Sequence, residues 1–139
     1  MASESDRFQA IETAFRAVLK ERIIAPDVDP SMLTAVIDAS ISLAQARLCT
    51  PTTPHTLLDD VFDMSVLEVC EHVFCFVESR LDAWSKEPFS GVGPRNVMLR
   101  LCNALSARLS STRDTVLSGR ILLFLASVTP LQDKSGINM

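Results

Sequence analysis

The chain has no tyrosine, one tryptophan, two histidines and four glycines in 139 residues. Each shortage excludes something. A single-strand nucleic-acid platform stacks bases on aromatic side chains, and none occurs between Phe89 and Phe124. A phosphate-cradling loop needs clustered glycines after a strand. Gly91-Val92-Gly93-Pro94 has two glycines, no preceding strand, and Asn96 where a third would stand. The cysteines at 49, 70, 75 and 102 follow no framework spacing, so neither a disulfide scaffold nor a zinc module is expected. The longest apolar run, Ile121 to Val128, is too short to cross a bilayer. The opening MASESDRFQAIETAFR is polar and then amphipathic, which does not read as a secretory signal. Reduced thiols in the cytosol or nucleus are expected.

Other quantities are ordinary. Hydrophobic residues make up 47% and charged residues 22%, a globular rather than disordered composition. The length suits one domain, residues 1–139, with a real core. The net charge of −4 conceals a division. Residues 1–88 carry fifteen acidic and seven basic side chains, whereas residues 89–132 carry five arginines against Asp114 alone. Such asymmetry suggests either two charged faces for two kinds of partner or two halves that neutralise each other on packing.

Helical periodicity runs through the chain and no strand alternation appears. A first helix is expected from about Ser5 to Ile23, with Phe8, Ile11, Phe15, Val18 and Leu19 on one side. Asp29-Pro30 caps and starts a second helix, carrying Leu33, Val36, Ile37, Ala44 and Leu48. Thr53 is expected to cap a third, with Leu57, Leu58, Val61 and Phe62 buried. Ser65 and Glu68 have capping-box spacing for a fourth, which should reach about Lys86. Its inner stripe is Cys70, Val73, Phe74, Val77, Leu81 and Trp84, and its outer stripe Glu68, Glu71, His72, Cys75, Ser79 and Asp82. Pro88 to Pro94 reads as a loop in which Gly91 and Gly93 permit tight turns. A fifth helix turns Val97, Met98, Leu101, Leu105 and Leu109 inward. Ser111 or Asp114 caps a sixth, from about Thr112 to Ser127, which Pro130 stops. Because it is apolar on nearly all sides after Gly119, its expected place is the centre. The expected fold is all-α: an antiparallel array of about six helices.

Candidate chemistry dissolves on inspection of spacing. At about 100° per residue, His72 points away from Cys70, so Cys70, His72 and Cys75 cannot converge on one ion. Cys70 and Cys102 read as core, Cys75 as accessible. Cys49 and His55 lack the glycine-flanked setting of a nucleophile. Asp59, Asp60 and Asp63 read as a solvated face or as salt-bridge partners for the arginine-rich half. No catalytic residue, metal or cofactor is expected.

The arginines carry more. Arg95, Arg100, Arg108, Arg113 and Arg120 are the candidate partner-binding residues. Arginine is enriched at the energetic centres of protein interfaces. The alternative is an RNA- or DNA-binding helical domain using the same face for phosphates; a sequence pI of about 5.1 argues against it. Arg120 has only apolar neighbours at helical spacing: Val116, Leu117, Leu123 and Phe124. Either that face meets a partner, or the guanidinium is buried against a carboxylate, with Asp59, Asp60 and Asp63 as candidates.

Leu99-Arg100-Leu101-Cys102-Asn103, Arg108-Leu109-Ser110, Gly119-Arg120-Ile121, Phe124-Leu125-Ala126, Pro130-Leu131 and Ser135-Gly136-Ile137-Asn138 occur in an order that resembles the N-terminal region of the THO complex subunit 1 family. Ala14-Phe15-Arg16, Cys49-Thr50 with Thr53-Pro54 and Leu57-Leu58, and Phe76-Val77-Glu78 with Trp84 extend the resemblance to most of the chain. The motifs are individually unspecific and collectively ordered. Ala107 stands where the family has a basic residue, which weakens any polyanion contact beside Arg108. Family members are several times longer, so this chain is expected to be a piece of such a protein, a truncated product or a partial gene product.

The resemblance implies a non-catalytic nuclear subunit of the machinery that couples transcription elongation to messenger RNA packaging and export. It implies docking on the large helical THO scaffold subunit. An RNA helicase and an export adaptor would be reached indirectly, and RNA contact would be weak, with no membrane involved. A third reading is a self-standing regulator that competes with the full-length subunit.

Overall fold

Asp29 and Pro30 start a helix as their chemistry requires. The Asp29 carboxylate accepts the Ser31 amide at 3.0 Å, and proline occupies the first turn, where no helical acceptor awaits an amide. In the computed structural model, which describes residues 3–110 and 115–128, seven helices occur and no strand. They are α1 (Glu4–Ile23), α2 (Pro30–Gln45), α3 (Thr53–Met64), α4 (Leu67–Ser79), α5 (Leu81–Trp84), α6 (Val92–Ser110) and α7 (Thr115–Val128).

The all-α expectation holds, with one helix more than the six anticipated. The fourth segment breaks at Arg80, whose backbone leaves the helical region at φ −104°, ψ 22°. The break lets Trp84 fold back, its indole donating to the Val77 carbonyl at 2.9 Å. The Arg80 guanidinium meanwhile pairs with Asp38 of α2 and lies over the Phe76 ring.

The centre is α3, which packs against α1, α2, α4 and α6. Leu57, Leu58, Val61 and Phe62 are buried in one core with Leu33, Ile37, Val73 and Phe74. The sixth expected helix, now α7, does not take that place. It rests on α6 and α5, burying Leu117, Ile121, Phe124 and Val128 while Val116 and Leu123 stay 73% and 71% exposed. Apolar residues all round a helix signal either full burial or an apolar surface, and here the outer side is surface.

Several local expectations also need correction. Thr53 is the first helical residue rather than the cap, and its hydroxyl donates to Glu12 of α1 at 3.0 Å. Ser65 and Glu68 form no capping box. Val66 takes the cap position without a side-chain bond, while the Ser65 hydroxyl is buried without a hydrogen-bond partner. The predicted loop is shorter, because α6 begins at Val92 with Pro94 in its first turn, where a missing amide costs little. Neither Gly91 nor Gly93 adopts a positive φ. The expected caps Ser111 and Asp114 and the stop at Pro130 lie outside the described residues.

Candidate protein-docking surface

The arginines of α6 point in different directions. At about 100° per residue, Arg95 and Arg108 flank the buried face of Met98, Leu101 and Leu105 on opposite sides. Arg100 projects away from the core. Arg95 is half-buried with its Nε 3.4 Å from the Gly91 carbonyl. Arg100 is exposed and lines a shallow depression with Thr56 and Asp59 of α3. Arg108 donates from Nη1 to the Phe62 carbonyl at 2.7 Å and lies 3.6 Å from the Cys70 sulfur. Phe62 is in the last turn of α3, where carbonyls lack helical donors and the helix dipole is negative. Arg108 thus caps α3. Arg113 lies outside the described residues.

Arg120 resolves the two alternatives left open by the sequence. It is paired within the chain, and the partners come from α4 rather than from Asp59, Asp60 or Asp63. Its Nε and Nη2 donate to the Glu78 carboxylate at 3.2 and 2.5 Å. Nη1 lies 3.6 Å from Glu71, and Nη2 is 3.0 Å from the Cys75 sulfur. Hydrogen bonding to Glu78 raises the guanidinium pKa further. Of the aspartates, Asp59 and Asp63 are exposed, and Asp60 makes a bidentate pair with Arg16 of α1 at 2.9 and 3.1 Å. Asp60 therefore holds α1 to α3, while Asp59 lies in the depression that Arg100 lines.

All four cysteines are thiols, three buried and Cys75 exposed. Burial pushes Cys102 up to about 12 and also raises Cys49 and Cys70. His55 is buried against Trp84, edge to face, and against a tilted Phe89, with ring centroids 5.2 and 5.8 Å away. Its Nδ1 has no hydrogen-bond partner, and burial lowers its pKa to about 4. Cys49, near the Ser40 carbonyl, belongs to a different contact. Among the described residues no group of three or more His, Cys, Asp or Glu could hold a metal, and no helix is long and apolar enough to cross a membrane.

The surface thus offers two kinds of feature useful for docking. Val116, Leu122 and Leu123 form an apolar patch on α7, on a helix pinned by Arg120. A second apolar surface follows α1 and α2: Val18 and Met32 remain exposed, and the side chains around them enclose a groove of about 470 Å³. The sequence reading missed that groove because Phe15, Val18 and Val36 have the spacing of core residues, and only the separation of two helices shows them partly uncovered.

This is a helical module whose exposed features suit contact with other macromolecules. Residues 33–139 match the family model described as THO complex subunit 1 transcription elongation factor. The chain is 41% identical over 137 residues to THO complex subunit 1 of Mus musculus, covering 99% of this chain and 20% of that protein. The Homo sapiens protein of the same name is 40% identical over 137 residues, with the same coverage of 99% and 20%. THO complex subunit 1 of Arabidopsis thaliana is 43% identical over 83 residues, 60% of this chain and 14% of that protein. No solved structure matches. The chain belongs to the THO complex subunit 1 family, and it spans about a fifth of the length of the mammalian relatives it matches.

Proposed function

We propose that this chain acts as a non-catalytic subunit within the THO part of the transcription–export complex, in the nucleus, through protein–protein assembly. The observation that carries this reading is the 40–41% identity to human and mouse THO complex subunit 1 along nearly the whole chain. Its partner is the large helical THO scaffold subunit, with an RNA helicase and an export adaptor reached through the assembly. A fixed helical surface holds neighbours in place so that several weak RNA contacts act together.

The surface assigned to the scaffold is the exposed side of α6 and α7. Arg100 supplies charge, and Val116, Leu122 and Leu123 supply apolar area. Arg95 extends the face, Arg113 is included as a partner-binding residue from its sequence position alone, and Arg108 and Arg120 fix the helices that bear the face. Among the described residues Arg95, Arg108 and Arg120 direct their guanidiniums at groups of their own chain, which leaves fewer for a phosphate backbone and disfavours direct RNA binding. Co-expression with the scaffold subunit followed by affinity capture of this chain tests the reading. Co-purification in equal amounts is expected, and recovery of this chain alone contradicts it.

A further inference from the structure

Residue 47 is an arginine where the backbone asks for glycine. At the end of α2 the Leu48 amide donates to the Leu43 carbonyl at 2.8 Å and the Arg47 amide to the Ala44 carbonyl at 3.0 Å. That pair of bonds is a Schellman termination, whose left-handed position is usually glycine because a Cβ is strained there. Arg47 holds it at φ 64°, the one positive φ among the described non-glycine residues. A conformational cost retained at a surface position points to a use for the side chain.

The use is indicated by what surrounds it. Arg47 and Leu48 line one end of an apolar depression with Arg7, Phe8, Leu43 and Glu4. Ile11 belongs both to that depression and to the α1–α2 groove, which continues along Phe15, Val18, Met32 and Val36. Ala35 and Ala39 keep the second wall low. From Arg7 to Val18 the surface runs about 17 Å at 1.5 Å per residue, the length of three helical turns. Its α2 wall carries no charge. Neither Arg7 nor Arg47 forms an ion pair among the described residues. Two unpaired guanidiniums beside one glutamate, at one end of an apolar trough, complement an apolar helix with an acidic end.

We propose that the α1–α2 groove binds an amphipathic helix of a partner protein, its apolar stripe along Ile11, Phe15 and Val36 and its acidic end against Arg7 and Arg47. This surface is separate from the α6–α7 face assigned above, and the two readings fail independently.

The probe is a fluorescent synthetic helix of about five turns, with leucines at i, i+4, i+7 and i+11 and glutamates at one end. A twin carries lysines in place of the glutamates. Titrated against the whole 139-residue chain by anisotropy, the acidic peptide should bind about tenfold more tightly than its twin. Ala39→Glu, on the exposed groove wall, should abolish binding. Arg7→Ala and Arg47→Gly should each weaken it roughly five- to tenfold. Arg47→Gly is the sharper variant, because it should raise the melting temperature while losing affinity, which a merely structural arginine would not do. Equal affinity for both peptides overturns the proposal, as does no binding of the acidic one or indifference to Ala39→Glu. A dimer in sedimentation that Ala39→Glu dissolves would assign the groove to a second copy, and displacement of the peptide by an RNA oligonucleotide would assign the arginines to phosphate; each also overturns it.

Discussion

Arg120 of α7 and Glu78 of α4 form a two-pronged ion pair, at 3.2 and 2.5 Å, across helices 42 residues apart in sequence. Beneath it the Phe74 and Phe124 rings meet edge to face at 5.6 Å. Polar clasp and aromatic contact together fix α7 on the rest of the fold. Both charged side chains keep roughly a third of their surface in solvent, so the clasp is weaker than a dry one. Arg120→Ala should cost about 1–2 kcal/mol, read as a lower urea midpoint with an unchanged helical signal. No change in midpoint would show that the pair holds nothing.

Neighbouring residues on α7 should behave oppositely. Phe124 is buried and truncation to alanine should cost about 3–5 kcal/mol, enough to unfold much of the chain at ambient temperature. Leu123 is 71% exposed, so Leu123→Ala should change stability by less than about 0.5 kcal/mol. Equal losses at the two positions in thermal unfolding would place α7 in the interior after all.

His55 gives the fold an acid limit. Its pKa falls from 6.5 to about 4 on burial, so the unfolded chain binds the proton first. Stability contributed by the neutral ring is complete above pH 6.5 and is lost as pH falls toward 4. The total loss is about 3 kcal/mol. Urea unfolding between those limits should show this slope, and His55→Phe should remove the histidine's share of it. An unchanged slope in the variant would mean that the ring is protonated in the folded state.

Arg47 offers a gain instead. Glycine relieves the left-handed strain at φ 64°, partly offset by its greater freedom in the unfolded chain, for a net stabilisation of about 0.5–1 kcal/mol. Differential scanning calorimetry should show a higher melting temperature for Arg47→Gly. A lower one would mean that the arginine side chain supports the fold.

Much of this is legible in the sequence. Across α4 and α5 the outer stripe Glu68, Glu71, His72, Cys75, Ser79 and Asp82 is exposed throughout. Of the inner stripe Cys70, Val73, Phe74, Val77 and Trp84 are buried while Leu81, just past the break at Arg80, is half-buried, because helical period sorts most of them. What periodicity cannot supply is the meeting of distant elements. An internal carboxylate partner for Arg120 was one of two readings of its apolar neighbours, but which carboxylate depends on how α7 crosses α4. Ser65 and Glu68 show the converse failure: the capping-box pattern is present, yet the chain buries Ser65 and begins the helix after Val66. The five arginines looked like one feature in sequence, whereas α3's open carbonyl end and α4's glutamates draw Arg108 and Arg120 inward. Leu123 misled because hydropathy does not distinguish a buried helix side from an apolar surface.

The docking account is tested most directly by measuring scaffold capture and RNA affinity on the same preparations. Wild type is compared with the double variant Arg100→Ala, Leu123→Asp, whose two positions are exposed and should leave folding intact. The wild-type chain should capture the THO scaffold subunit, and the double variant should do so at least about tenfold more weakly. RNA binding by both should be weak at physiological salt. Sub-micromolar RNA binding by wild type, lost in the variant while scaffold capture persists, would contradict the account and make this surface a nucleic-acid site.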